Sequence, residues 1–139
     1  MRSFFFACAL ALCWSTGQAA TAPSVVEDPD QWARETVELV RDLNYDGLQA
    51  HLASALDGKI FWTTRFGDEI RHFANGDSVI YVDLLERHQI GTSILRHIYG
   101  IYFGGRRYFY FLIEFRRGET GWIVMGLKTN SQPYGFLRP

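Results

Sequence analysis

The sequence predicts an α+β domain in which two to three N-terminal helices pack on a curved four-stranded antiparallel sheet. Two observations predict it. Apolar residues recur at helical spacing up to about residue 74, and from Ser78 onward they alternate with the period of two that is typical of strands. The predicted connections between strands are all short, which favours an antiparallel meander, because parallel strands need long crossovers.

The first 20 residues have the layout of a secretory signal peptide. Arg2 is followed by about ten apolar residues, and the small residues that come next allow cleavage after Ala19 or Ala20. A membrane-spanning helix needs about 20 apolar residues, so this run is too short to be an anchor. The mature protein is therefore predicted to be exported, either to a periplasm or out of the cell, without a membrane span.

Maturation at this site would remove both cysteines of the chain. Cys8 and Cys13 lie inside the apolar run, and neither has the surroundings that lipid attachment requires. Residues 21–27 are predicted to be a mobile lead-in, and residues 28–139 a single domain that is large enough for one core without disulfides. Thirteen basic residues against fifteen acidic ones remain, a net charge of −2 that gives no reason to expect nucleic acid or an anionic membrane as partner.

Capping residues mark the predicted helix boundaries. Asp28-Pro29 predicts the start of a first helix, because aspartate accepts from free backbone N–H groups and proline is tolerated in the first turn. Asp46 with Gln49 three residues later predicts a capping box for a second helix. The remaining boundaries are a stop near Gly58 and a third, shorter helix from Asp68 to Ala74 that Asn75-Gly76 closes.

Hairpin signals set the predicted strands and their register. The strands are Val79–His88, Thr92–Phe103, Arg106–Arg116 and Trp122–Asn130. Gly104-Gly105 predicts a two-residue turn that places Phe103 opposite Arg106. One face then packs on the helices and comprises Ile80, Val82, Leu84, Ile94, Ile98, Phe109, Phe111, Ile113, Phe115, Ile123, Met125 and Leu127. The other face carries Tyr81, Asp83, Leu95, His97, Tyr99, Tyr108, Tyr110, Leu112, Glu114, Trp122 and Lys128.

The final strands resemble those of a known superfamily. The stretches that carry the resemblance are Asp83–Gly91, Tyr99–Phe103, Phe109–Arg116 and Gly121–Asn130. With helices first and a long meander after them, the chain is similar to the nuclear-transport-factor-2-like (NTF2-like, cystatin-like) superfamily, and most of all to small exported bacterial proteins of unknown function. The resemblance implies a cone-shaped fold that often dimerises through its sheet. It implies no specific activity, because this fold hosts many functions.

The less apolar face provides the first candidate site. Tyrosine and tryptophan bury area while keeping a polar group, which suits interfaces. The predicted interface, to a second copy or to a partner protein, consists of Tyr81, Tyr99, Tyr108, Tyr110 and Trp122. The alternative is a half-exposed sheet face with ordinary cross-strand aromatic pairs.

Two further sites depend on the predicted register. Asp83 is placed opposite His97, and a carboxylate beside an imidazole can support general acid–base catalysis, although such pairs are more often structural. Arg96 and Glu86 are placed as diagonal neighbours, either as an ion pair at the rim or with Arg96 holding an anionic ligand in the mouth of the cone.

No metal site or cofactor is predicted, since His51, His72 and His88 fall on different elements. The sequence thus favours a non-enzymatic accessory protein that dimerises or docks through its aromatic sheet face. A small-molecule pocket protein is the first alternative. An enzyme that uses Asp83 and His97 is the second.

Overall fold

Three helices precede four strands along the chain, in the order that the sequence predicts. The computed structural model describes residues 24–56 and 60–132, with the side chains of residues 60–63 left aside. The predicted signal peptide, the predicted helix stop near Gly58 and residues 133–139 lie outside the described residues. The helices are Pro29–Arg41 (α1), Tyr45–Ala55 (α2) and Ile60–Ala74 (α3), and the strands are Val79–Ile90 (β1), Ile94–Phe103 (β2), Arg107–Arg117 (β3) and Trp122–Asn130 (β4).

The helix starts follow local capping chemistry. The Asp28 carboxylate accepts from the backbone N–H groups of Asp30 and Gln31, as the sequence predicts. The predicted capping box at Asp46 is wrong, because the side chain of Asn44 caps α2 by accepting from the N–H of Gly47. Asp46 lies in the first turn instead, where its charge suits the positive end of the helix.

The third helix is longer than predicted at its N-terminal end. It begins at Ile60 rather than Asp68. Its first turns contain aromatic and β-branched residues with modest helix propensity, so the sequence pattern did not predict this start. Its end agrees with the prediction. Asn75 and Gly76 have φ of 47° and 87°, and such left-handed positions end helices.

The four strands form one antiparallel sheet in the order β1-β2-β3-β4, which confirms the predicted meander. The predicted register between β2 and β3 is wrong by one residue. Gly104, Gly105 and Arg106 form a three-residue loop, and Arg106 takes the left-handed position with φ of 59°. Phe103 therefore pairs with Arg107.

The other two registers also differ from the prediction. The β1–β2 loop is centred on Thr92, so that Arg87 pairs with His97. Register shifts between Val79 and Tyr81 and between Leu84 and Glu86 then place Asp83 opposite Gly100 instead of His97. Between β3 and β4, the pairing shifts at Met125, which is left without a direct partner. Such bulges bend a strand locally and are not visible in an alternating pattern.

We call the side of the sheet that faces the helices the inner face and the opposite side the outer face. The one-residue slip exchanges the two faces of β2, because successive side chains alternate. Leu95, His97 and Tyr99 are therefore inner rather than outer residues, and Ile94 and Ile98 are outer. On β4, Val124 and Leu127 join the core, Trp122 packs against it, and the predicted core residues Ile123 and Met125 do not belong to it.

The core lies between the helices and the inner face. The predicted core residues of β3 are confirmed, namely Phe109, Phe111, Ile113 and Phe115. Aromatic rings connect the layers, because Phe66 of α3 meets Phe111 edge-on with ring centroids 5.4 Å apart. Trp32 of α1 meets Phe115 at 5.8 Å in the same way. These contacts fix the helices over the sheet and leave the outer face without a helix among the described elements.

Candidate functional site

Four tyrosines form a contiguous cluster on the outer face. We call Tyr81, Tyr102, Tyr108 and Tyr110 the tyrosine cluster. Ring centroids are 5.0 Å apart between Tyr81 and Tyr102, 4.7 Å between Tyr102 and Tyr108, and 6.3 Å between Tyr108 and Tyr110. Because Tyr102 pairs directly with Tyr108 across β2 and β3, and with Tyr81 across β1 and β2, the cluster spans three strands.

The cluster is accessible and carries hydroxyl groups at its surface. Tyr81 and Tyr108 are 37% and 45% exposed. Their hydroxyl oxygens lie 2.8 Å apart in a hydrogen bond, which raises the pKa of Tyr81 to about 12. The Tyr81 phenol is therefore neutral at physiological pH. Rings with a polar edge of this kind are typical of binding surfaces.

Apolar side chains continue the surface next to the cluster. A Cβ atom at Gly100 would lie 3.2 Å from Leu85 Cδ1 and 3.5 Å from Tyr110 Cε1, so the bare backbone leaves room for both side chains. Leu85 is itself 46% exposed. In the middle of the same face, Ile98 and Leu112 pair directly and are buried.

Three of the five predicted interface residues belong to this cluster. Tyr81, Tyr108 and Tyr110 lie on the outer face, whereas Tyr99 and Trp122 lie on the inner side. Sequence reasoning missed Tyr102, because the two-residue turn placed it on the core face. A three-residue loop with Arg106 in the left-handed position would have placed Tyr102 beside Tyr108.

Arg96 also lies on the outer face. Its Nε donates to Oε2 of Glu114, its direct cross-strand partner, over 2.6 Å. Arg96 and Glu86 are diagonal neighbours as predicted, because Glu86 pairs with Ile98 and His88 with Arg96. The predicted ion pair between them does not form, since Glu86 instead lies 3.1 Å from Nδ1 of His88. The guanidinium therefore already has a carboxylate partner, and it lies away from the interior of the cone where the pocket interpretation needs it.

A second cluster lies on the inner face, beneath the start of α1. The Asp30 carboxylate accepts from Arg87 twice, at 2.8 Å from Nε and 2.9 Å from Nη2. Oδ1 of the same carboxylate lies 3.1 Å from Nε2 of His97. Asp30 therefore joins α1 to β1 and β2 through one side chain.

The imidazole of this cluster is almost completely buried. His97 is 1% exposed, and its ring lies 5.6 Å from that of Phe115 and 6.1 Å from that of Tyr99. The approach to Asp30 is too bent for a hydrogen bond, and Nδ1 has no partner within the described part of the chain. Burial lowers the pKa of His97 despite the nearby carboxylate, while the hydrogen bond from Arg87 lowers the pKa of Asp30. At neutral pH the imidazole is neutral and the carboxylate is charged.

The predicted Asp83–His97 pair does not form. Asp83 lies on the outer face opposite Gly100, and the carboxylate beside His97 belongs to Asp30 on the first helix. Catalysis at His97 would also need an opening for a substrate. His97 lines none of three cavities that lie among the described residues, along α3, beside the start of α1 and beside the β3–β4 loop.

Another histidine is held in the helical layer. His51 Nε2 lies 3.0 Å from Oγ1 of Thr36, and the ring stacks on Trp32 with centroids 4.6 Å apart. Burial lowers the pKa of His51, against the opposing effects of the Trp32 carbonyl and the Glu35 carboxylate. This contact joins α1 to α2.

The buried His97 and the half-buried His51 predict acid sensitivity. An unfolded histidine has a pKa of about 6.5, and both folded values are lower, so the unfolded chain binds more protons as the pH falls below about 6.5. The free energy of unfolding should therefore decrease from pH 7.5 to pH 5.5 in urea titrations. For His97, the charge of Asp30 on α1 opposes the lowering of the pKa and the charge of Arg87 on β1 adds to it. The double variant His51→Gln/His97→Leu should flatten the profile, and a parent protein that is more stable at pH 5.5 would contradict the prediction.

The described residues contain no group of three or more histidine, cysteine or acidic side chains placed to hold a metal ion. Within the same part of the chain, no helix is both long and apolar enough to cross a membrane. Two larger cavities lie away from both clusters. One of about 530 Å³ adjoins the β3–β4 loop, and one of about 620 Å³ lies along α3.

Known proteins resemble this chain weakly. No family profile matches the sequence, and no curated protein matches it. A structure from Campylobacter jejuni that is described as an NTF2-like transpeptidase is 12% identical, with a TM-score of 0.49 over 70% of this chain and 97% of that chain. A variant of a protein called Rd1NTF2 is 15% identical, with a TM-score of 0.45 over 74% of this chain and 100% of that one.

Helices on one face of an open antiparallel meander define the class of α+β protein to which the chain belongs. The two solved structures named above both carry NTF2 in their descriptions. At these identities and TM-scores no fold family, activity, ligand or partner is carried over to this chain.

Proposed function

We propose that this chain is an exported accessory protein without catalytic activity that acts by binding, and that it forms a homodimer through the outer face of its sheet. The observation that carries the proposal is the tyrosine cluster, in which neutral rings with exposed hydroxyls adjoin an apolar centre. The centres of interfaces are enriched in tyrosine and depleted of charge, and the middle of this face carries the tyrosine cluster beside the paired Ile98 and Leu112. Arg96 and Glu114 neutralise each other within it.

The outer face is suited to a second copy of itself. A two-fold axis parallel to the strands would bring β1 of one copy over β4 of the other. The exposed residues Asp83 on β1 and Lys128 on β4 then approach each other with opposite charges at both edges. A symmetric interface uses the same patch twice, so each complementary pair occurs in duplicate.

Export is supported by the N-terminal pattern alone. A positive residue, an apolar run of about ten residues and small residues before Thr21 form the three parts of a cleavable signal. The mass of the protein recovered after expression of the full chain tests this part. Loss of the first 19 or 20 residues is expected, and recovery of the intact chain from the cytoplasm would contradict it.

Tyr108→Asp tests the interface. The change removes the hydrogen bond with Tyr81 and places a charge in the middle of the exposed rings, where desolvating it would be costly. The dimer dissociation constant should rise at least tenfold in sedimentation equilibrium or native mass spectrometry. Circular dichroism should stay unchanged, because the side chain is exposed.

Val25→Asp is the matched control. Val25 is a similarly exposed apolar residue, 43% accessible, and lies before α1 rather than on the sheet. The same charge introduced there should leave the dimer intact. A parent protein that is monomeric at micromolar concentration would overturn the homodimer and leave docking to another protein as the remaining form of the proposal. Equal effects of both variants would show nonspecific association.

A further inference from the structure

The two edge strands of the sheet differ in how they are covered. β4 is covered near both ends, because Val26 pairs with Trp122 through two backbone hydrogen bonds and Thr129 donates to Glu69 of α3. β1 is the other edge strand. Among the described residues, its backbone forms no hydrogen bond to the backbone of any element other than β2. A row of N–H and C=O groups on β1 is therefore open to another strand.

Exposed apolar side chains concentrate on the same strand. Eight large apolar or aromatic residues of the described chain are exposed, and five of them lie on β1, namely Ile80, Tyr81, Leu84, Leu85 and Ile90. Leu85 lies on the outer face, against Gly100. Leu84 pairs with the inner residue Tyr99, yet it is 50% exposed, so the helices do not cover it. Apolar side chains thus border the open edge on both faces of the sheet.

The regular part of this edge is short. Register shifts between Val79 and Tyr81 and between Leu84 and Glu86 interrupt the strand. Arg87, further along, is bound by Asp30 of α1, which lies against that part of the strand. The stretch from Tyr81 to Leu84 remains, and it is about 13 Å long. Bulges limit pairing along exposed edges, so an added strand would pair over only a few residues.

A second copy of the chain does not fit this edge in a finite assembly. Antiparallel pairing of β1 with β1 of another molecule needs a two-fold axis perpendicular to the sheet at its edge. The proposed homodimer has its axis parallel to the strands through the middle of the sheet, so the two axes do not meet. Both contacts together would produce an open filament. Only the exclusion of a second copy rests on the proposed homodimer, since the open edge is a property of the single chain.

We infer that the edge of β1 from Tyr81 to Leu84 binds an extended segment of a partner protein as a fifth strand. The backbone of the segment pairs with that of β1, as in other proteins that bind peptides by strand addition. Its apolar residues occupy successive positions, because successive side chains reach opposite faces and so meet Leu84 on the inner side and Leu85 on the outer side. Stacking of two outer faces leaves this edge open, so the segment and the homodimer are compatible.

A model peptide tests the strand addition. The probe is a fluorescein-labelled peptide of sequence Lys-Lys-Val-Ile-Val-Val-Lys-Lys, whose fluorescence anisotropy should rise and saturate as the protein is added. The same peptide with N-methylated backbone amides keeps the side chains but loses the N–H donors, so its affinity should be at least tenfold lower. Equal affinities would indicate contact through side chains alone and would overturn the inference. Absence of binding by the unmethylated peptide would also overturn it.

A matched pair of variants locates the binding site. Leu84→Ser removes an apolar side chain beside the open edge and should weaken binding of the unmethylated peptide at least tenfold. Met125→Ser makes a similar change on β4, where Met125 is 38% exposed, and should leave the affinity unchanged. Equal losses would overturn the assignment to β1. Because Leu84 lies on the inner side, Leu84→Ser should not alter the homodimer, so the two proposals fail separately.

Amide hydrogen exchange gives an independent measurement on the parent protein. Addition of the unmethylated peptide should slow the exchange of amides of β1 and leave those of β4 unchanged. Slowed exchange on β4 instead would overturn the inference. Protection of β1 that increases with protein concentration without any peptide would assign the edge to a second copy and would overturn the partner segment.

Discussion

Replacing Tyr99 by alanine should lower the free energy of unfolding by about 3–4 kcal/mol, in the range of large core aromatic truncations. Tyr99 is 5% exposed and stacks on Phe111 with ring centroids 5.0 Å apart, so its removal leaves a cavity between β2 and the helices. Burial also raises the pKa of its hydroxyl to about 12, which keeps the buried side chain neutral. Urea denaturation measures the loss, and an unchanged m-value would show that the change is in stability.

Tyr108→Ala is the control, because it makes the same chemical change on the outer face. Tyr108 is 45% exposed, and its truncation should cost less than about 1 kcal/mol at a concentration at which the protein is monomeric. Similar losses for the two variants would mean that the two faces of the sheet are not separated as described. A negligible loss in the free energy of unfolding for Tyr99→Ala would mean that Tyr99 lies on the outer face.

The contrast between Tyr99 and Tyr108 shows which features of the fold could be predicted from the sequence and which could not. The order of helices and strands could be predicted, because it depends on local periodicity and on capping residues such as Asp28. The inner face of β3 could be predicted as well, since Phe109, Phe111, Ile113 and Phe115 leave only one apolar side.

The register of β2 could not be predicted in the same way. Both of its sides are rich in apolar residues, so the alternation pattern fits either side facing the helices. The geometry of the hairpin loop determines which side does. Gly104-Gly105 suggests a two-residue turn, but the loop also includes Arg106 with a positive φ. Few residues other than glycine and asparagine take that conformation, and an arginine there is not anticipated from its type.

The candidate sites follow from this single difference. Tyr81 and Tyr108 were predicted as outer residues because their own strands alternate clearly, and the slip in β2 exchanged Tyr102 for Tyr99. The partner of His97 was beyond prediction for another reason. Asp30 is 67 positions earlier in the chain, and its contact depends on how α1 crosses the sheet, for which the sequence contains no local indication.

Asp30→Ala should lower the free energy of unfolding by about 1–2 kcal/mol at pH 7. The carboxylate accepts two hydrogen bonds from Arg87 and lies 3.1 Å from Nε2 of the buried His97, and losing hydrogen bonds between charged groups costs about 1–3 kcal/mol. The loss stays below the 3–5 kcal/mol of a broken, fully buried pair, since the side chains of Asp30 and Arg87 are 37% and 43% exposed.

The pH dependence separates this contact from a general effect on α1. Arg87 lowers the pKa of Asp30 below its usual 3.8, so its stabilisation is fully present above that value and is lost as the pH falls through the folded pKa. The difference between parent and variant should thus be constant from pH 5 to 8 and shrink below pH 4. Arg87→Met should reduce the effect of Asp30→Ala, because the two side chains are in direct contact.

Asp28→Ala is the matched control, two residues earlier at the same helix end. Asp28 caps α1 through backbone N–H groups, so its removal should cost about 1 kcal/mol. That cost should be the same with or without Arg87. If Asp30→Ala and Asp28→Ala were equally insensitive to Arg87→Met, Asp30 would act only on its own helix. A coupling with Arg87→Met that is confined to Asp30 would instead show that this carboxylate holds α1 against the edge of the sheet, above the buried and neutral His97.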